Sequence, residues 1–357
     1  MKSTLAFASL LAAAQATTYT VKDTFDRTNF FNSESFTFFD EADPTNGFVD
    51  YVDSTTASSA GLAGYMNNMV YLGVDYRTAN PTGGRRSTRI SSTNTYDKGL
   101  FIADITHMPV GCGVWPAFWT FGPNWPSSGE IDIIEGVNSQ ATDAVTLHTS
   151  AGCTMTKTGS QSDTVFSTGE SSVDCGADGG STGCSLATTD TNAYGAGFNA
   201  NGGGVYAMEL SSDAISVWFF ARNSTMATNL AVGGSAAAAP NTADFGTPVA
   251  RFSGCDIDSH FKQQQIIFDT TFCGDWAGQQ SIWSSDATCA PKADTCNDYI
   301  LNNGADLVDA YWLINSVRVY DASSSYKRDG AHVAPFSARR SASIPKREGL
   351  VPQPFMA

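Results

Sequence analysis

Three carboxylates crowd into six residues of one apolar run, Glu130-Ile131-Asp132-Ile133-Ile134-Glu135, followed by Gly136-Val137-Asn138. The apolar members are all β-branched, a composition that favours a strand. Side chains alternate along a strand, so Glu130 and Asp132 share one face and Ile131 and Ile133 the other. Unbroken alternation would send Glu135 into the isoleucine layer, where a lone carboxylate is costly. A β-bulge near Ile133 and Ile134 adds one residue and returns Glu135 to the acidic face. At roughly 3.3 Å per residue the glutamate backbones then lie on the order of 13–16 Å apart. Side chains leaning inward leave about 5–8 Å between carboxyls, which brackets a retaining glycosidase pair and touches the range of an inverting one. Retention needs one ionised carboxylate as nucleophile and one protonated carboxyl as acid. Crowding like charges raises the pKa of one member, and Asp132 between them can share a proton with either. The same oxygens also suit a solvated acidic edge or a calcium ion.

The surroundings supply flat aromatic surfaces. Trp115, Trp119 and Trp125 lie just before the acidic run. Sugar rings present apolar C–H faces that stack on indoles, and indole N–H groups reach hydroxyls. Trp115 and Trp119 are four apart and share a strand face, so core packing competes with sugar contact for that layer. Trp119 and Trp125 are stronger substrate candidates than Trp115. Residues 144–149 have the pattern of the next strand. Antiparallel pairing there brings His148 near the acids, where an imidazole bonds substrate, tunes a carboxylate or is simply a satisfied core group. Short strands are expected over 18–25, 48–52, 69–76, 87–91, 100–105, 205–210, 215–221, 264–272 and 310–320, and no long stretch keeps a helical period. Residues 151–197, rich in Gly, Ser, Thr and Asp with three cysteines, read as long loops pinned by disulfides. Residues 272–278 read as a turn bearing Trp276.

The 357 residues carry a formal charge of −15 at pH 7, which disfavours nucleic acid and anionic membranes as partners. Residues 1–16 read as a secretory signal peptide, with Lys2, an apolar run and the small-x-small site Ala14-Gln15-Ala16. No later segment approaches the ~20 apolar residues of a membrane span. A secreted, extracellular chain without a membrane anchor is therefore expected. Eight cysteines, an even count, suit up to four disulfides of open connectivity. No CxxC pair suggests zinc, and neither a metal nor a cofactor is assigned. Asn223-Ser224-Thr225 is a candidate glycosylation sequon. The tail, 321–357, is Ser/Pro/Ala-rich, with six basic and two acidic residues from Tyr326 on. It is expected to be disordered, and its pairs Lys327-Arg328, Arg339-Arg340 and Lys346-Arg347 suit a dibasic-cleaving secretory protease.

With these residues in view, the chain resembles glycoside hydrolase family 16, and more narrowly the fungal laminarinase-type endo-1,3(4)-β-glucanases. The resemblance runs from about Thr18 to Tyr320. It rests on His107-Met108-Pro109, Gly111-Cys112-Gly113, Trp115-Pro116-Ala117 with Trp119, Trp125-Pro126, the acidic run, Thr146-Leu147-His148-Thr149, Phe198 to Gly204, Val217-Trp218-Phe219 and Phe272 to Gly278. It implies an all-β fold over 17–320, a β-jelly-roll, concanavalin/lectin-like sandwich of two curved antiparallel sheets with a cleft across the concave face. By resemblance Glu130 is the nucleophile, Asp132 its assisting acid and Glu135 the general acid/base. The five-residue glutamate spacing matches the bulged, laminarinase-like branch, whereas many lichenases and transglycosylases have four. Trp119, Trp125 and Trp276 are expected to stack sugars, and Arg89 and His148 to bond hydroxyls. The implied partner is a β-glucan, and the implied state a monomer. A β-glucan-binding lectin on the same fold and a wall-building transglycosylase are the rival readings.

Overall fold

The computed structural model describes residues 18–157, 165–166, 170, 172–322 and 351–355. The signal-peptide reading of 1–16 lies outside the described residues, as do the three dibasic pairs. Two large antiparallel sheets enclose one apolar core and form the expected jelly-roll sandwich. The first has eight strands, in the order Val165–Phe166, Cys184–Ala187, Ala144–His148, Glu130–Glu135, Val114–Phe121, Gln265–Phe272, Arg89–Ser92 and Phe36–Phe38. The second has ten. Its main path runs Ser172–Asp174, Thr154–Lys157, Ala250–Ser253, Ile215–Ala221, Gly204–Leu210, Gly99–His107, Tyr311–Ala322, Met69–Gly73 and Ala63–Met66, and Tyr19–Asp26 also pairs with Tyr311–Ala322.

Alternation explains which face does what. Ile131, Ile134, Leu147, Phe118 and Phe268 point from the first sheet into the core, against Phe101, Ile105, Met208, Val217 and Val317 of the second. The other face of the first sheet is left with Glu130, Asp132, Glu135 and Trp119. Four disulfides, Cys112–Cys289, Cys153–Cys255, Cys175–Cys184 and Cys273–Cys296, pin the connections. No described helix exceeds the seven residues of Cys296–Asn302. That helix begins where the Thr295 hydroxyl accepts the Asp298 N–H at 3.1 Å, which satisfies one of the donors a helix start leaves open.

Two expectations are corrected. Residues 151–197 are not loops alone: Thr154–Lys157, Ser172–Asp174 and Cys184–Ala187 join the two sheets. These strands are only three or four residues long, too short for one or two buried side chains such as Met155 and Leu186 to stand out from the polar residues around them. The tail is not wholly without structure either. Gln353 forms a β-bridge with Tyr65, and Phe355 is 9% exposed, stacked 4.1 Å from Phe31. Averaging over a polar, basic segment conceals one aromatic residue among prolines.

Candidate active site

The site begins with the bulge. Pairing of Glu130–Glu135 with Val114–Phe121 runs Glu130 with Phe121 and Asp132 with Trp119, then slips so that Ile134 meets Phe118 and Glu135 meets Ala117. Ile133 is the extra residue. Two consecutive isoleucines, both fully buried, take the core side, and all three carboxylates keep the other face.

Each acid is held by a named neighbour. Trp125 Nε1 donates to Glu130 Oε2 at 2.5 Å, and Trp115 Nε1 donates to Glu135 Oε1 at 2.9 Å. His148 is the register partner of Glu130, and its Nε2 lies 3.4 Å from Asp132 Oδ2. The other ring nitrogen, Nδ1, donates to the Gly180 carbonyl at 2.6 Å. Gly180 belongs to the loop closed by Cys175–Cys184, nine residues apart, so a disulfide fixes the imidazole's orientation.

Burial and crowding dominate the electrostatics. Burial lifts Glu135 to about 7, against the Trp115 N–H and the charge on His148. Burial also raises Glu130, opposed by His148 and Trp125. Asp132 is pushed well up by burial and by both glutamates. Burial works against a charge on His148, yet Asp132 and Glu130 together lift it to about 10. All three carboxyls are thus pushed up together, and with His148 they titrate as a coupled cluster.

Behind Glu135 lies Asp143, wholly buried. Its Oδ1 accepts the Glu135 backbone N–H at 3.0 Å. Tyr206 OH is 3.0 Å from Asp143 Oδ2 and 2.7 Å from the Ala193 carbonyl. Burial lifts Asp143 to about 8, against the hydrogen bonds it accepts from the Glu135 N–H and the Tyr206 hydroxyl. A native pKa raised this way keeps a proton that the unfolded chain has lost. The stabilisation is complete below pH ~4 and drains away up to about 8, by up to about 1.4 kcal/mol per pH unit. Asp143→Asn keeps the shape without a titrating proton. Its melting temperature relative to wild type should climb between pH 5 and 8; a constant difference in calorimetry would refute the raised pKa.

The remaining sequence candidates fall into two groups. Trp125 is 46% exposed beside the acids, and Trp276 meets Trp115 edge-on at 5.5 Å. Trp119, buried, is the register partner of Asp132 on the neighbouring strand, and Arg89 stands two strands farther along the sheet. The Arg89 guanidinium packs over Phe39 at 4.6 Å and over Trp119 at 5.0 Å, and its Nε has no hydrogen-bond partner. The sequence reading missed three residues and undervalued Trp115. Asp269 is register partner to Arg89 and accepts from Trp119 Nε1 at 3.3 Å and Tyr51 OH at 3.0 Å. Burial raises Asp269 to about 6, against the charge of Arg89. Asp269 carried the same signal as the acidic run, a carboxylate amid Ile266, Ile267 and Phe268. Tyr51 and Asp143 carried none.

Fold and site together define a jelly-roll sandwich with a carboxylate-and-indole face. A family model described as the XgeA-like, catalytic GH16 domain matches residues 36–320. The chain belongs to this family, the XgeA-like catalytic domains of glycoside hydrolase family 16. It is similar to a probable endo-1,3(4)-beta-glucanase of Aspergillus fumigatus, 44% identical over 325 residues, 89% of this chain and 48% of the relative. It is 40% identical to the Emericella nidulans endo-1,3(4)-beta-glucanase xgeA, over 90% of this chain and 50% of the relative. The chain spans about half the length of these curated relatives. Among solved structures, it is similar to the GH16 Laminarinase 16A of Phanerochaete chrysosporium, which holds 6-O-glucosyl-laminaritriose in donor and acceptor sites. Identity is 41% and the TM-score 0.76, over 85% of this chain and all of that one. An elongating GH family 16 beta-1,3-glucosyltransferase is 38% identical, with TM-score 0.74 over 85% of this chain and all of that one.

Proposed function

We propose that the chain is a secreted, retaining endo-β-glucanase that hydrolyses internal bonds of β-1,3- and mixed β-1,3/1,4-glucans. One observation carries the chemistry: the bulge at Ile133 sets Glu130 and Glu135 on one face. In this reading the Glu130 carboxylate attacks the anomeric carbon as the bond to the leaving oxygen breaks, and Glu135 gives that oxygen its proton. Glu135 then takes a proton from water, whose oxygen displaces Glu130 and frees the sugar. Asp132, paired with His148, keeps the proton inventory between the glutamates. Trp119, Trp125 and Trp276 stack sugars, and Arg89 and His148 bond hydroxyls. Family membership, the names of the relatives and the glucan held by the Phanerochaete neighbour support the substrate class. The 1–16 pattern and four disulfides support secretion, and nothing in the reading requires more than a monomer.

The test incubates purified protein with laminarin, lichenan and cellulose and follows the anomeric protons by NMR in the first minutes. Oligosaccharides from laminarin and lichenan, appearing first as the β-anomer, are expected. The α-anomer first would overturn retention, and binding without cleavage would favour a lectin. A second reading, transglycosylation, is favoured by the likeness to the elongating glucosyltransferase. It shares Glu130 and Glu135 and differs in the acceptor, so products longer than the starting oligosaccharide would establish it.

A further inference from the structure

The described end of the tail is seated where the two sheets leave an open side. Ala63–Met66 is the edge strand of the ten-stranded sheet, and Phe36–Phe38 is the edge strand of the eight-stranded sheet. Gln353 adds to the first edge as a strand would: its N–H donates to the Tyr65 carbonyl at 2.8 Å, and its carbonyl accepts the Tyr65 N–H at 2.9 Å. Two residues on, Phe355 enters the gap between the edges. Its ring lies 4.1 Å from Phe31 and 5.9 Å from Phe38, each within 15° of parallel, and its carbonyl accepts the Ser58 hydroxyl at 2.9 Å. A groove of ≈ 700 Å³, lined by Phe31, Phe36, Phe38 and Tyr65, continues beyond the ring. The family match stops at residue 320, so this contact is additional to the family domain.

We propose that this seat is a peptide-docking site on the catalytic domain, and that its ligand is the chain's own C-terminal Gln353-Pro354-Phe355. Recognition is strand addition: main-chain bonds to Tyr65 set the register, and one aromatic pocket reads the side chain. Pro352 and Pro354 flank the single residue that must both donate and accept, which limits the freedom lost on docking. From Ala322 to Gln353 there are 31 residue steps. Ala322 lies eight positions beyond Ile314, and Ile314, Val70 and Tyr65 are successive cross-strand partners. Strand rise and spacing put the separation near ~30 Å, whereas the connecting chain spans at most ~100 Å. Docking within one molecule is therefore within reach, at the high effective concentration a tether provides. The connection carries all three dibasic pairs. A cut at any of them removes the tether between the seat and the segment that fills it, and lets the seat open.

The test uses the full chain and three readouts. Amide exchange of Tyr65 should be at least ~10-fold faster in Phe355→Ala than in wild type. Gln353→Pro, which keeps the ring and removes the N–H, should release the same amide. A synthetic peptide of residues 351–357 should bind the Phe355→Ala chain by calorimetry and fail to bind wild type, whose seat is taken. Equal Tyr65 exchange in all three proteins, or no peptide binding to Phe355→Ala, overturns the proposal. Glucan cleavage is not a readout, so the result stands apart from the fate of the glucanase reading.

Discussion

Glu130→Ala will lose glucan cleavage by on the order of 10⁴-fold or more while still binding laminarin oligosaccharides. The size follows from removing the atom that forms the new bond, a loss comparable with deleting a nucleophile elsewhere. Binding should survive because the proposed stacking surfaces lie on other elements, Trp125 in the preceding loop and Trp119 on the neighbouring strand. The variant also relieves crowding. With one negative charge gone, Asp132 loses one of the groups that raise it, and His148 loses one of the charges that lift it. The imidazole pKa should therefore fall from about 10, which NMR titration of its ring protons would follow. Near-normal turnover in Glu130→Ala would remove the double-displacement reading altogether.

Glu135→Gln is expected to lower kcat/KM by about 10²–10⁴-fold, the usual worth of a positioned general acid/base. The pH profile is the sharper readout. Glu135 must be protonated when the glycosidic bond breaks, and its carboxyl is lifted to about 7. Wild-type kcat/KM should thus fall as pH rises through about 7, tenfold per unit once past it. Because the acids titrate as a cluster, that limb belongs to the group, although Glu135 is the member whose proton the proposed mechanism uses. In Glu135→Gln the descending limb should vanish, most clearly with a leaving group that departs without a proton. A variant that keeps the limb near 7 would mean that another group supplies the acid.

The heart of the site was legible because its logic is local. Six consecutive residues state both the demand, three acids on one face, and the only local device that meets it, a one-residue bulge. His148 was legible because its strand follows next in sequence and pairs directly. Arg89, Trp119 and Asp269 meet only through the pairing of strands far apart in the chain, so residue types alone could not put them together. Trp115 was undervalued for a related reason: two tryptophans four apart share a face, but which face depends on what packs behind. Asp143 and Tyr51 serve the site from positions with no periodicity. The latch at Phe355 was hidden by composition, since nothing in a long polar tail sets Phe355 apart from its other aromatic residues, Tyr326 and Phe336.

The position of Tyr311–Ala322 sets the order in which this protein can be made. This twelve-residue strand, the last of the described strands, lies against Gly99–His107, Met69–Gly73 and Tyr19–Asp26. A ribosome delivers residues in sequence, so all three partners emerge long before it. Until it arrives, they hold open hydrogen-bonding edges, an invitation to neighbouring nascent chains. The sandwich therefore closes only once Tyr311–Ala322 is delivered, and the yield of folded protein rests on what shields those edges until then.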